Sequence, residues 1–209
     1  LVNVNNDGLM DLFLTSNMGS NTLYLNKGDL KFEDISVQAG ITGHGEWSTG
    51  ASLADVNGDG WTDIYVCNSG NVEGDERHNE LYINNGDLTF TEKAGEYGIN
   101  DRGYSTHGAF FDYDRDGDLD LYLLNNFVNE RLSASYRPKI VDGTAASNDD
   151  LYRNNGDGTF SNVTIEAGIV YEGFGLGLAL GDVNKDGYPD IYVSNDYVSN
   201  DLLYINQGD

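Results

Sequence analysis

Nine residues recur four times in this chain, reading NVNNDGLMD at 3–11, DVNGDGWTD at 55–63, DYDRDGDLD at 112–120 and DVNKDGYPD at 182–190. The copies start 52, 57 and 70 residues apart, and a unit recurring at such intervals is the mark of a repeat architecture. Each copy runs into a β-type segment, DLFLTS, DIYVCN, DLYLLN or DIYVSN, and then into a second, NTLYLNKGD, NELYINNGD, DDLYRNNGD or DLLYINQGD. Short runs of β-branched and aromatic residues bounded by turn residues are strand signals. The Gly-Asp at the end of each second segment marks a hairpin, because glycine supplies the positive φ of a tight reversal. A third strand follows as LKFEDI, LTFTEK or GTFSNV and ends near Ala-Gly-Ile at 39–41 and 167–169, or Tyr-Gly-Ile at 97–99. A fourth, rich in small residues, leads into the next acidic loop as TGASLAD, HGAFFD or LGLALGD.

Each unit thus supplies four antiparallel strands and no helical period of useful length. The expectation is an all-β chain forming a β-propeller of four-stranded antiparallel blades, with three complete repeats plus partial ends, part of a larger propeller. The expected repeats are approximately 1–47, 48–104, 105–173 and 174–209 within a single domain spanning 1–209. A solenoid or a row of sandwich domains is the alternative, though sandwiches seldom repeat a four-strand unit at this spacing.

Charge narrows the partners. The chain carries 35 Asp and Glu against 11 Lys and Arg, a formal net charge of −24, a field that repels nucleic acid and anionic lipid surfaces alike. No apolar stretch approaches the ~18 residues of a membrane span. Hydrophobic residues at 39% suffice for a packed core, which argues against an acidic disordered tail. Cys67 is the single cysteine and sits in a strand-like run, so it reads as a half-buried small residue rather than a redox centre.

The acidic loops place Asp or Asn at positions 1 and 3, Asp at 5, Gly at 6 and Asp at 9. Oxygens at this spacing gather around one point, which suits a hard cation of calcium size with six to eight oxygen ligands. The candidate ligands are Asn3, Asn5, Asp7, Leu9 and Asp11 in the first loop, and Asp55, Asn57, Asp59, Trp61 and Asp63 in the second. The third offers Asp112, Asp114, Asp116, Asp118 and Asp120, and the fourth Asp182, Asn184, Asp186, Tyr188 and Asp190. Position 7 varies in side chain, as a main-chain carbonyl ligand would allow. Position 12 is Leu14, Val66, Leu123 or Val193, where an EF-hand needs a bidentate Glu, so these are strand-to-strand loops instead. Magnesium fits worse because it holds a stricter octahedron, and zinc would want His or Cys. Up to four Ca2+ ions are expected, the first loop binding more weakly because Asn3 replaces the first Asp. An Asx-rich turn with no ion is the plainer reading of each loop.

These residues resemble FG-GAP (VCBS-type) repeats, as in integrin α-subunit propellers and relatives of cartilage acidic protein. The resemblance rests on ADVNGDGWTDIYV at 54–66, FDYDRDGDLDLYL at 111–123, GDVNKDGYPDIYV at 181–193 and the paired LYxNxGD segments. Phe174-Gly175, Gly50-Ala51 and Gly108-Ala109 keep the family's Phe-Gly and Gly-Ala, while its Pro is absent. The resemblance implies a calcium-loop propeller, secreted or at the cell surface, that binds partners rather than catalyses. Loops that fill only near millimolar calcium point the same way.

In an up-and-down blade the acidic loops and the hairpins share one end, and the segments that vary between repeats share the other. That second end receives Arg77, His78, Arg102, Arg131, Arg137 and Lys139, together with His44. Recognition of an acidic partner there, a protein, an anionic glycan or the acidic end of another copy, competes with simple local charge balance. Head-to-tail contact between copies would grow into filaments. A secreted carbohydrate-active enzyme, with its site on this loop face, is the alternative function. His107 in an inner strand reads as a hydrogen-bonded core residue, and no Ser-His-Asp or Cys-His arrangement stands out.

Overall fold

The computed structural model describes residues 1–43, 47–70, 77–127, 137–196 and 199–208. By internal contacts the chain divides into two compact units, Leu1–Arg102 and Gly103–Asp209. Both are built of antiparallel meanders. The first unit holds β1 (Leu12–Leu14), β2 (Thr22–Asn26) and β3 (Phe32–Asp34) in one sheet, and β4 (Ser48–Ala54), β5 (Asp63–Asn68), β6 (Glu80–Asn84) and β7 (Phe90–Glu92) in another. The second holds β8 (Ser105–Phe111), β9 (Asp120–Asn125), β10 (Asp150–Asn154) and β11 (Phe160–Asn162) in a four-stranded sheet. Its other sheet has three strands, β12 (Gly175–Gly181), β13 (Asp190–Asn195) and β14 (Leu202–Tyr204). The fold is therefore all-β, in four antiparallel sheets of three or four strands.

Counted from acidic loop to acidic loop the chain contains three full periods, but a period straddles two sheets. The strand that precedes each acidic loop pairs with the strand that follows it, as in Ala54 opposite Asp63 and Phe111 opposite Asp120. Among the described residues two sheets are four-stranded and two are three-stranded.

The strands after the acidic loops explain their apolar sequences. Every residue of β5 and of β9 is buried, since a strand covered on both faces has no reason to alternate. The core of the first unit joins Val4, Leu23, Ile41, Ile64, Tyr82 and Phe90, and that of the second joins Tyr122, Leu124, Leu151, Ile169 and Val193. Full burial of one such aliphatic side chain contributes about 1.5–3 kcal/mol. The inner strands carry a register shift between Ser48 and Ala51, Ser105 and His107, and Gly175 and Gly177, which fits their small, glycine-bearing sequences.

The Ala-Gly-Ile and Tyr-Gly-Ile segments close single helical turns. Those turns are α1 (Ser36–Ala39) and α2 (Ala94–Tyr97), and Gly40 and Gly98 cap them at φ 74° and 76°. The left-handed cap turns the chain so that Ile41 and Ile99 are fully buried. Cys67 is fully buried, and burial pushes its thiol well above the ordinary range, which leaves it unreactive. His107 is exposed on β8 rather than held in the core, next to the register shift that sets it opposite Leu124. No helix of the described residues is long and apolar enough to cross a membrane.

Candidate metal centres in the acidic loops

The four acidic loops share a backbone conformation. Position 4 is left-handed in each, at Asn6 (φ 57°), Gly58 (φ 71°), Arg115 (φ 65°) and Lys185 (φ 66°). Position 6 is left-handed too, at Gly8, Gly60, Gly117 and Gly187, with φ from 85° to 101°. Two reversals within three residues curl the loop around its own acidic side chains. Asp55 accepts from the amides of Asp59 (3.0 Å) and Gly60 (2.8 Å), and Asn57 Oδ1 accepts from Asp59 (3.1 Å). Asp59 Oδ1 in turn accepts from the amide of Trp61 (2.8 Å). The fourth loop repeats this pattern, with Asp182 accepting from Asp186 and Gly187, Asn184 from Asp186, and Asp186 from Tyr188. The first keeps the last two bonds, to Asn5 and Asp7.

Two observations fit these loops to a hard divalent cation. The Oδ1 atoms of Asn3 and Asp112, each at the first position of its loop, are buried with no hydrogen-bond partner among the described residues. In the third loop Asp112, Asp114 and Asp116 bring one carboxylate oxygen each to within 4.8 Å of the others. Burial, with the nearby Asp116 and Asp112 carboxylates adding to it, raises the Asp114 carboxyl above the usual range. A divalent ion would reverse that tendency by supplying the missing opposite charge.

Position 9 has a structural role that its spacing does not reveal. Asp11, Asp63, Asp120 and Asp190 are 0–1% exposed, and each accepts one amide from position 2 of its own loop and one from the hairpin asparagine. For Asp63 the donors are Val56 and Asn84, both at 2.9 Å. For Asp120 they are Tyr113 and Asn154, both at 2.9 Å. Asp11 holds Val4 and Asn26, and Asp190 holds Val183 and Asn206, all at 2.8–2.9 Å. Each oxygen keeps a further lone pair. Burial pushes the Asp63 carboxyl up to about 6 and the Asp120 carboxyl up to about 7, against the pull of those backbone bonds.

In three of the four loops the side chain at position 7 lies against the hairpin of the same sheet. A Cβ on Gly86 would meet the Trp61 ring at 3.0 Å, one on Gly208 the Tyr188 ring at 2.7 Å, and one on Gly156 the Asp118 carboxylate at 3.1 Å. Glycine in these hairpins therefore serves packing as well as the positive φ. Position 4 reaches the neighbouring loop of its own unit. Asn6 donates to the carbonyl of Gly60 (3.1 Å), and the Arg115 guanidinium lies 5.1 Å from the centre of the Tyr188 ring.

Sequence reading passed over the hairpin asparagines, Asn26, Asn84, Asn154 and Asn206. Each accepts the amide of the hairpin glycine two residues on, at 2.9–3.0 Å, and donates to the carbonyl at position 8 of the loop. The Asn that recurs in all four LYxN segments was the available signal.

At the other end of the sheets the basic residues meet local partners. In the first unit Arg77 Nε donates to the carbonyl of Arg102 (2.8 Å), and the carbonyl of His78 accepts from Asn68 (2.7 Å). In the second, Arg137 forms a two-pronged bond to Glu172 at 2.8 and 2.7 Å, and the Ile140 amide donates to the same carboxylate. The Glu172 carboxyl falls below its usual range because these bonds and the charges of Arg137 and Lys139 outweigh its burial. Arg131 and His44 lie outside the described residues.

A model of the FG-GAP-like repeat matches the chain at residues 3–66, 55–123 and 140–193. Cartilage acidic protein 1 of Homo sapiens is 26% identical over 186 residues, 88% of this chain and 26% of that protein. The Xenopus tropicalis protein of the same name is 28% identical over 190 residues, 91% of this chain and 27% of that protein. The chain thus spans about a quarter of the length of these relatives. A solved structure of an Agrocybe aegerita lectin, described as recognising non-reducing terminal N-acetylglucosamine, superposes with a TM-score of 0.48 at 21% identity, covering 95% of this chain and 50% of the lectin's. Matched across three stretches, the first two overlapping, that together take in all four acidic loops, the chain belongs to the FG-GAP-like repeat family.

Proposed function

We propose that the chain is a calcium-stabilised segment of a β-propeller that serves outside the cell as a binding or structural scaffold, without turnover. The observation that carries this reading is the pairing of an unpartnered, buried first-position oxygen with three converging carboxylates in the third loop. The side chains at positions 1, 3 and 5 would hold the ion, joined by the main chain at position 7 and the outer lone pairs of position 9. A bound Ca2+ supplies the positive charge that lets these carboxylates sit together. An extracellular setting is supported by membership of the repeat family, by similarity to proteins named for cartilage and acidity, and by the high calcium that such loops need.

Melting the protein in millimolar calcium and in excess chelator tests the reading. A large fall in the midpoint on chelation supports it, and superimposed melts overturn it.

The loop ends away from the acidic loops are where we place a partner, either a protein, an anionic glycan or another copy of the chain. Arg77 and Arg137 are engaged locally, so shape and hydrogen bonding rather than a basic patch would carry recognition. Light scattering with and without calcium separates self-assembly from capture of a different ligand.

A further inference from the structure

Within each unit an unbroken path of hydrogen bonds joins the position-9 carboxylates of its two acidic loops. In the first unit Asp11 accepts from the amide of Val4 (2.9 Å), the carbonyl of Val4 accepts from the Asn84 side chain (2.9 Å), and the amide of Asn84 donates to Asp63 (2.9 Å). The second unit repeats the path. Asp120 accepts from the amide of Tyr113 (2.9 Å), the carbonyl of Tyr113 accepts from the Asn206 side chain (2.8 Å), and the amide of Asn206 donates to Asp190 (2.9 Å). Two residues thus bridge carboxylates that lie 52 or 70 positions apart in the chain.

Where the path enters the earlier loop decides what it can do. Val4 stands between Asn3 and Asn5, and Tyr113 between Asp112 and Asp114, the residues at positions 1 and 3 that would face an ion. A bond that holds the peptide at position 2 therefore limits the freedom of both. In the first unit Val4, Asp11, Asp63 and Asn84 are at most 2% exposed, so no water stands ready to replace a link that opens. A second contact joins the same pairs of loops, from Asn6 to the Gly60 carbonyl and from the Arg115 guanidinium to the Tyr188 ring.

We propose that the two acidic loops of each unit take up calcium as a coupled pair, with Asn84 and Asn206 as the positioning residues that carry the coupling. The inference rests on the calcium reading of the loops given above. A position-9 carboxylate fixed by an ion holds the hairpin asparagine, and the asparagine holds position 2 of the other loop, whose ligands then lose less freedom when their own ion arrives. Linkage makes the effect reciprocal, so either loop assists the other. Charge alone gives the opposite sign. With its ion the second loop keeps one net negative charge, three carboxylates against a divalent cation, whereas an empty second loop lacking Asp59 keeps two. Emptying it would draw calcium to the first loop more strongly if electrostatics governed, and less strongly if the path does.

Calcium titration followed by amide NMR separates the loops, because Gly8, Gly60, Gly117 and Gly187 at position 6 report one loop each. Asp59→Ala removes an exposed ligand of the second loop and leaves the path intact. It is expected to raise the calcium concentration that half-fills the first loop, read at Gly8, by on the order of tenfold. Asp116→Ala, also at an exposed ligand, should shift the Gly187 curve in the same direction. Adding Asn206→Ala to Asp116→Ala should remove the extra shift at Gly187, measured against Asn206→Ala alone. A Gly8 curve in Asp59→Ala and a Gly187 curve in Asp116→Ala that stay in place or move to lower calcium overturn the coupling, and a shift that survives Asn206→Ala overturns the part given to the asparagine. If none of the four glycines of the unaltered protein responds to calcium, the calcium reading itself fails and the coupling falls with it.

Discussion

The side-chain amide of Asn84 donates to the main-chain carbonyl of Val4 at 2.9 Å, a bond between two sheets across 80 positions of sequence. Asn84 is 2% exposed, and its remaining groups are also used, accepting from Gly86 (2.9 Å) and donating to Thr62 (3.2 Å). Asn84→Ala removes three bonds and strands the buried carbonyl of Val4. A loss of about 2–4 kcal/mol is expected in urea unfolding. Asn85→Ala, one residue on in the exposed turn, should cost under about 1 kcal/mol. Equal midpoints for the two variants would contradict the inter-sheet role.

Asp59 and Asp63 belong to one loop and should separate in their effects. Asp59 is exposed, so Asp59→Ala is expected to leave the calcium-free melt nearly unchanged and to weaken calcium binding. Asp63 is buried and clamps two amides. Asp63→Ala should lower the melt with or without calcium, by about 2–3 kcal/mol per molecule from the two stranded donors alone. Calorimetric titration with calcium beside paired melts distinguishes the two.

Lys185 holds a left-handed backbone at φ 66° where the second loop has Gly58. A non-glycine residue costs about 1–2 kcal/mol in that region. Lys185→Gly is expected to stabilise by about 0.5–1 kcal/mol after the greater entropy of an unfolded glycine is set against the relief. The reverse change, Gly58→Lys, should destabilise. Arg115→Gly should gain less than Lys185→Gly, since it also removes the contact with the Tyr188 ring.

Asp149 accepts from the Asn125 amide and the Tyr122 hydroxyl, both at 2.8 Å, at a site only 2% exposed. Burial pushes its carboxyl up to about 7 from 3.8, with the Asp150 charge adding to the rise. The folded state therefore keeps a proton that the unfolded chain releases, so this group's contribution is fullest below about pH 4 and is lost as pH rises toward 7. In the first unit the equivalent place is taken by Asn79, which accepts from Asn68 (2.8 Å) and donates to Tyr65 (3.0 Å). Asp149→Asn should flatten the fall in melting midpoint between pH 4 and 7 and leave the variant the more stable at pH 8. Parallel pH profiles for the two proteins would overturn this account.

Much of the fold was legible because its signals are short. The apolar runs DIYVCN and DLYLLN, the Gly-Asp turns and the small residues of TGASLAD each act within a few residues, and β5, β9 and β4 lie where those runs predict. The loop spacing placed Asp112, Asp114 and Asp116 among the candidate ligands of four loops, and the fold brings the carboxylates of these three together. Asp63 was harder. Its place at position 9 suggested an ion ligand, but its bond to Asn84 depends on a hairpin more than twenty residues away. His107 in an inner strand suggests a core residue, and the folded chain leaves it exposed beside the register shift in β8.

By itself the sequence determined the strands, the turns and the acidic loops, since propensity, positive φ at glycine and the crowding of carboxylates are properties of neighbours along the chain. Tertiary structure alone decided that Asn84 joins two sheets, that Arg137 is spent on Glu172 and that Asp149 loses its water. Those outcomes turn on desolvation and on which distant groups become partners, quantities that exist only once the sheets have packed.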